Sequence, residues 1–302
     1  MENVQLNNGI EMPQLGFGVF QITDSGQCER SVVDALRTGY RLIDTAACYG
    51  NERAVGRAIR ESTIAREEVF VTSKVWIQDA GYDRTMKSFS KTLENLGTDY
   101  LDLYLIHMPY GDYHGSYRAM EELYRAGRVK AIGVCNFLED RLVDLILSHG
   151  IVPAVNQMEL HPFCQQRKLR SVMERYGIRM MAWAPFAEGK NDIFENEILT
   201  GIGAREKMAD SKTQVSEIPA PHSPVPKTPA QVILRWLRQE GIVAIPKSVH
   251  RERIEQNFAI DDFSISGEDM DKIRRMDTGN SLILDITSLS EVYRLHNIRF
   301  EQ

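Results

Sequence analysis

Apolar, strand-like runs recur along this chain at the spacing of one strand–helix–strand step, and three of them end on a reactive polar side chain. Arg41-Leu42-Ile43-Asp44 ends on Asp44, Val69-Phe70-Val71-Thr72-Ser73-Lys74 on Lys74, and Leu101-Asp102-Leu103-Tyr104-Leu105-Ile106-His107 on His107. Asp44 to Lys74 is 30 residues and Lys74 to His107 is 33, about the length of a βαβ unit. Tyr49 follows Asp44 in a loop. Parallel strands that end together place their last side chains on one face, and in a closed parallel barrel that face carries the chemistry. Few folds satisfy such a pattern: a (β/α)8 barrel, or an open doubly wound sheet as the main rival.

The number of steps favours the barrel. Residues near 4–12 form a hairpin that turns at Asn8-Gly9, a strong hairpin pair. The first barrel strand is Leu15–Phe20, and Asp24 or Ser25 caps a helix running to Leu36 and ended by Gly39. The next three strands end at Asp44, Lys74 and His107, each followed by a helix, over 51–60, 83–96 and 116–125. Strands at 130–134, 154–157, 179–184 and 243–245 complete eight, with helices over 138–148, 166–176, 229–239 and 251–258. The expectation is an α/β chain, a single (β/α)8 TIM barrel over 1–302, with the N-terminal β-hairpin and a surface insertion at 205–227 after strand 7. Within that insertion Ser216–Pro226 is proline-rich, which excludes a regular helix or a central strand.

With 302 residues the chain is only modestly longer than a typical barrel, and 43% hydrophobic content can fill a large core. A net charge of −6 with both signs interspersed leaves no nucleic-acid footprint. No apolar run reaches membrane-spanning length, and Met1-Glu2-Asn3-Val4-Gln5 is unlike a signal peptide. A cytoplasmic monomer with no membrane partner is expected. Cys28, Cys48, Cys135 and Cys164 are widely spaced, form no metal pattern and read as reduced thiols. No G-x-G-x-x-G follows a strand, and there is no Walker A loop, H-E-x-x-H or G-x-S-x-G.

The reactive residues suit carbonyl reduction, which needs a hydride donor and a proton donor. A free tyrosine titrates near ~10, and a neighbouring ammonium lowers that value. Lys74 can supply the ammonium, and Asp44 would keep it charged when buried. The loop after Asp44 can fold the Tyr49 phenol over the barrel mouth. A neutral His107 imidazole can orient the carbonyl. Tyr49 is then the general acid in reduction and the base in the reverse direction. Taken singly, each has a plainer reading: Asp44 a turn residue, Lys74 a snorkelling cation, His107 a core histidine, Tyr49 packing. Their joint occurrence at successive strand ends, within matching local motifs, favours a site.

Asp44-Thr45-Ala46-Ala47-Cys48-Tyr49-Gly50-Asn51-Glu52 closely resembles the aldo-keto reductase signature. Lys74-Val75-Trp76, Leu105-Ile106-His107-Met108-Pro109, Gly133-Val134-Cys135-Asn136-Phe137, Asn156-Gln157-Met158-Glu159-Leu160-His161-Pro162 and Ile245-Pro246-Lys247-Ser248-Val249 resemble its further motifs in family order. The resemblance runs from Gly9 to the C-terminus, interrupted near 205–227, and the tail Leu282-Ile283-Leu284-Asp285 is most similar to the bacterial 2,5-diketogluconate reductase-like branch. It implies an NADPH-dependent reductase of small aldehydes and ketones, dicarbonyls or keto-sugars, with Asp44, Tyr49, Lys74 and His107 as the catalytic four. It implies NADPH/NADP+ held without a Rossmann fold. Asn136 and Gln157 would bind the nicotinamide carboxamide, and Trp183 would stack on its ring. Cys135 stands where the family usually has serine, a weaker hydrogen-bonding group. Lys247, Ser248 and Arg253 would clamp the 2′-phosphate, with Asn257 at the adenine. Phe20, Trp76 and Met108 would line an apolar substrate pocket. Phe20 and Met108 stand where the family often has tryptophan, which implies a wider or more adaptable mouth. The insertion is expected to tune cofactor release. Two other classes fit the fold: a cofactor-binding regulatory or sensor protein, and a metal-dependent barrel hydrolase or isomerase.

Overall fold

The computed structural model describes residues 2–213 and 226–300. A hairpin opens the chain, β1 (Asn3–Gln5) pairing antiparallel with β2 (Glu11–Pro13), and Gly9 takes φ 86° in its turn. Parallel strands and helices then alternate. They run β3 (Phe17–Gly18), α1 (Ser25–Thr38), β4 (Leu42–Asp44), α2 (Glu52–Glu61), β5 (Phe70–Val75), α3 (Tyr82–Leu96), β6 (Leu101–Ile106) and α4 (Tyr113–Arg125). Next come β7 (Val129–Cys135), α5 (Glu139–Ser148), β8 (Val155–Glu159), α6 (Arg167–Arg175) and β9 (Arg179–Trp183). The chain continues with α7 (Glu197–Thr213), α8 (Pro229–Gln239), β10 (Val243–Ala244), α9 (Arg251–Phe258), α10 (Gly267–Arg274) and α11 (Leu289–Asn297).

Strands β3 to β10 pair in chain order, all parallel. The two ends of this sheet then meet. Leu15 bridges Ala244, Gly16 N–H donates to Ala244 O at 2.8 Å, Ala244 N–H to Gln14 O at 3.0 Å, and Gly18 N–H to Pro246 O at 3.0 Å. The sheet therefore closes into a barrel, and the open-sheet rival is set aside. Gly16 sits at this seam for a steric reason: a Cβ there would come within 2.5 Å of the Leu42 side chain.

Side chains alternate in and out along each strand. Leu42, Leu103, Leu105, Ala131, Val155, Met181 and Val243 belong to one buried cluster inside the barrel, with Leu6 and Met12 of the hairpin region in the same cluster. The hairpin thus closes the floor. Ile43, Val71, Tyr104, Ile132 and Ala182 belong to the outer cluster, which they share with the helices. Burying both strand faces explains the continuous apolar runs seen in the sequence.

Local signals place most boundaries. Asp112 accepts from Gly115 N–H at 2.8 Å and starts α4 three residues before the expected Ser116. Thr228 and Gln231 form a capping box for α8. Ser266 accepts from Asp269 N–H at 3.2 Å and caps α10. Three helices lie outside the expected set, α7, α10 and α11. Of these, α7 occupies 205–213, the first part of the segment expected as an insertion. Its proline-rich run falls almost wholly on 214–225, outside the described residues. Lys227 N–H donates to Gly203 O at 3.1 Å, which ties the residues before α8 to α7. All four cysteines are free. Among the described residues no helix is long and apolar enough to cross a membrane.

Candidate active site

The in–out alternation that fills the barrel also builds its mouth. Two residues beyond inward Leu42 comes Asp44; beyond Leu105 comes His107; beyond Val155 comes Gln157; beyond Met181 comes Trp183. Lys74 lies opposite Leu105 in the β5–β6 register and reaches the same layer. The next inward position therefore carries a polar or aromatic group on strand after strand. These residues surround a cavity of about 720 Å³ lined by Phe20, Asp44, Cys48, Tyr49, Trp76, His107, Met108, Asn136, Gln157, Trp183 and Lys247.

At its floor Lys74 Nζ donates to Asp44 Oδ1 at 2.6 Å, to Thr45 O at 2.9 Å and to Tyr49 Oη at 3.3 Å. Lys74 is fully buried and Asp44 nearly so. Gln157 Nε2 donates to the other Asp44 oxygen at 2.8 Å. Tyr49 reaches this point because its loop is pinned. Asn51 Nδ2 donates to Val19 O at 2.9 Å, Thr45 Oγ1 donates to Asn51 Oδ1 at 2.8 Å, and Gly50 turns at φ 68°. The Tyr49 ring packs 4.9 Å from Phe20 and 5.6 Å from His107, centroid to centroid.

The charges sort as follows. Burial acts to lower Lys74, but Asp44 above all holds it protonated, above the ordinary lysine value. Burial raises the Asp44 carboxyl, opposed by Lys74 and the Gln157 hydrogen bond. Burial, then Lys74, drive His107 well below its ordinary value, so the imidazole is neutral. The expectation for Tyr49 is corrected: burial raises the phenol above its ordinary value, and the lowering by Lys74 does not overcome it. In this pocket desolvation of a phenolate outweighs one cation.

Cys48 is a contact the sequence reading does not single out. Its sulfur lies 3.4 Å from His107 Nδ1, and burial pushes the thiol up to about 12. A protonated thiol beside a neutral imidazole can donate to Nδ1 and leave the ring proton on Nε2.

The residues expected around the nicotinamide are brought together and also bonded to one another. Trp183 Nε1 donates to Asn136 Oδ1 at 3.0 Å, and Asn136 Nδ2 donates to His107 O at 3.0 Å. Cys135 Sγ lies 3.6 Å from Gln157 Oε1, a long thiol contact that leaves this oxygen acceptor capacity. Met108 and Trp76 are nearly buried, while Phe20 is 52% exposed at the rim. Ile283, Leu284, Arg294, Leu295 and Ile298, from the segment that follows α10, complete the cavity wall. Ile283 and Leu284 lie in the tail that carries the resemblance to the 2,5-diketogluconate reductase-like branch, but no local sequence signal places any of the five at the cavity.

Further along, Lys247 and Arg253 are exposed, Ser248 and Asn257 buried. Among the described residues the Lys247, Arg253 and Asn257 side chains carry no hydrogen bond or ion pair. Lys247 adjoins Ser248 in sequence, and Arg253 and Asn257 lie one turn apart on α9; two uncompensated cations, a hydroxyl and a carboxamide are the groups that a phosphorylated nucleoside requires. Among the described residues no cluster of His, Cys, Asp or Glu is set to hold a metal ion.

Comparison with known proteins gives concordant relatives. The model of the aldo/keto reductase family matches residues 14–278. Glyoxal reductase of Bacillus subtilis (strain 168) is 46% identical over 273 residues, covering 90% of this chain and 91% of its own. Among solved structures, a Gox0644 variant in complex with NADPH superposes with TM-score 0.82 at 33% identity, covering 99% of both chains. A putative 2,5-diketo-D-gluconic acid reductase B gives TM-score 0.84 at 33% identity, covering 94% of this chain and 95% of its own.

Proposed function

Because this chain belongs to the aldo/keto reductase family, we propose that it reduces aldehydes and ketones, including dicarbonyls and keto-sugars, to alcohols with NADPH, and that Tyr49 is the proton donor. The observation that carries this reading is Lys74 Nζ, which joins the Asp44 carboxylate at 2.6 Å to the Tyr49 hydroxyl at 3.3 Å on the floor of an apolar-walled cavity. The dihydronicotinamide, when bound, supplies the hydride. Asn136, Gln157 and Trp183 would hold its ring end, with Cys135 behind Gln157, and Lys247, Ser248, Arg253 and Asn257 its adenosine end. A Gox0644 variant crystallised with NADPH supports this choice of cofactor, and so do the unpaired cations at Lys247 and Arg253.

The chain's own groups then divide the work. His107, neutral, donates from Nε2 to the substrate carbonyl oxygen and turns it toward Tyr49. Tyr49 gives that oxygen its proton, and the Lys74 ammonium stabilises the phenolate left behind. Asp44 keeps Lys74 charged, and Gln157 fixes the second Asp44 oxygen. Phe20, Trp76 and Met108 keep water from the carbonyl. The glyoxal reductase relative makes small dicarbonyls the first compounds to assay. NADPH oxidation should be followed with glyoxal, aliphatic and aromatic aldehydes, α-keto acids and keto-sugars. Absence of turnover with every one of them would refute the reading and favour a sensor role.

Two outcomes follow from the charges. Burial raises the phenol, so Tyr49 holds its proton throughout the neutral range. Carbonyl reduction should therefore vary little with pH across that range, while alcohol oxidation, which needs the phenolate as base, should rise with pH. Parallel pH profiles in the two directions would contradict the assignment. Replacing Lys247 or Arg253 by alanine should weaken NADPH by about 1–3 kcal/mol each and NADH much less. Fluorescence titration with both cofactors measures this, and equal losses would place the phosphate elsewhere.

A further inference from the structure

The end of β8 carries a buried carboxylate that the reaction does not use. Glu159 is only 2% exposed. Its Oε1 accepts from His161 Nε2 at 3.0 Å, Leu282 N–H at 2.7 Å and Ile283 N–H at 3.3 Å. Its Oε2 accepts from Ser281 Oγ at 2.6 Å and Leu284 N–H at 3.2 Å. His161 Nδ1 accepts Phe163 N–H at 3.2 Å, so Nε2 is the nitrogen that donates to Glu159. Three successive backbone N–H groups facing one carboxylate form an anion nest, and here the anion belongs to the barrel itself.

What the nest holds matters for the site. Ser281–Leu284 begins the segment that crosses the barrel mouth, and its Ile283 and Leu284 face the cavity. The far end of the segment is tied separately, by Tyr110 Oη to Ile286 O at 2.5 Å and Trp76 Nε1 to Ile298 O at 3.3 Å. Between α10 and α11 no strand or helix fixes the backbone. Within Ser281–Leu284, Lys190 Nζ donates to Leu282 O at 2.7 Å from the loop after β9, and Glu159 is the strand residue that ties the Ile283–Leu284 wall to the barrel.

We propose that Glu159 is a positioning residue for substrate selection, holding the Ser281–Leu284 wall over the catalytic floor so that it grips large carbonyl compounds and leaves small ones untouched. The proposal rests on the carbonyl-reductase reading and adds to it the element that discriminates by size. Burial works to raise the Glu159 carboxyl, but the hydrogen bonds from His161, Ser281 and Leu282 hold it below its ordinary value, so it is ionised at neutral pH and suited to this set of donors.

The test compares Glu159→Gln and Ser281→Ala in the full chain with NADPH, using glyoxal as the small substrate and 2-naphthaldehyde as the large one. Glutamine sets an NH2 donor against backbone donors. Ser281→Ala removes the hydroxyl that donates to Glu159 Oε2 and accepts from Ile283 N–H at 3.3 Å and Leu284 N–H at 2.9 Å, and leaves the barrel intact, so it serves if Glu159→Gln does not fold. For Glu159→Gln, KM for 2-naphthaldehyde should rise on the order of tenfold, the scale of a small loss of contact in a hydrophobic pocket. Glyoxal turnover and NADPH affinity should stay near those of the unmodified protein. Ser281→Ala should shift KM in the same direction by less. Hydrogen exchange at the Leu282, Ile283 and Leu284 amides, measured without substrate, should quicken in both variants. Equal losses for both aldehydes, or an unchanged KM for the large one, would overturn the proposal. Failure of the unmodified protein to reduce either aldehyde would instead refute the reductase reading, and the exchange data would still report whether Glu159 holds the segment.

Discussion

Tyr49→Phe should lower carbonyl reduction by roughly 10²–10⁴ while NADPH affinity and thermal stability stay near those of the unmodified protein. The substitution removes one oxygen and keeps the ring. That ring packs on Phe20 at 4.9 Å and lies under Lys74 Nζ at 4.9 Å, contacts that phenylalanine retains. The hydroxyl is bonded to Lys74 alone among the described residues, at a long 3.3 Å, so its loss should cost about 1 kcal/mol of stability at most. Lys74 keeps Asp44 and Thr45 O as partners. A rate loss without a stability loss separates a proton donor from a packing residue. Near-normal kcat in the folded variant would remove Tyr49 from the mechanism.

Lys74→Met should be costly in both respects, for different reasons. It removes the cation that stabilises the Tyr49 phenolate, so turnover should fall at least as far as in Tyr49→Phe. It also leaves Asp44 buried with only Gln157 as a donor, and breaking a buried pair from one side costs about 3–5 kcal/mol. The sign of the pH dependence follows. Burial already raises the Asp44 carboxyl, and without Lys74 it rises further above its unfolded value near ~3.9. A group raised on folding contributes stability that is fully present below its unfolded value and is lost as pH climbs through the folded one. The stability deficit of Lys74→Met should thus shrink on acidification from neutrality toward about pH 4. Adding Asp44→Leu removes the stranded carboxylate and should restore much of the stability at neutral pH without restoring activity. Urea melts at several pH values measure both effects. A deficit that deepens on acidification would mean that Asp44 is not the group left unpaired.

Sequence alone carried the architecture and the reactive core. Strands buried on both faces must be apolar throughout, and each is short and bounded by turn residues, so β4, β5, β6 and β9 were legible from local pattern. Alternation then put Asp44, Lys74 and His107 on the inward side of strand ends, where nothing apolar is needed. The caps at Asp112 and Ser266 are equally local, accepting from Gly115 N–H and Asp269 N–H at the starts of α4 and α10, although α10 lies outside the expected set. Barrel closure was not local. It depends on Gly16 and Gly18 meeting Ala244 and Pro246, more than two hundred residues away along the chain. The same holds for Glu159 with Ser281–Leu284, for Cys48 with His107, and for Leu295 and Ile298 over Trp76. The state of the phenol also needed the tertiary structure, because pairing with Lys74 can be inferred from residue types while the depth of burial opposing it cannot. Periodicity and capping arise between neighbours in sequence and survive in the sequence as pattern. Which distant segments cover the mouth, and how dry they leave it, is decided only when the barrel has closed.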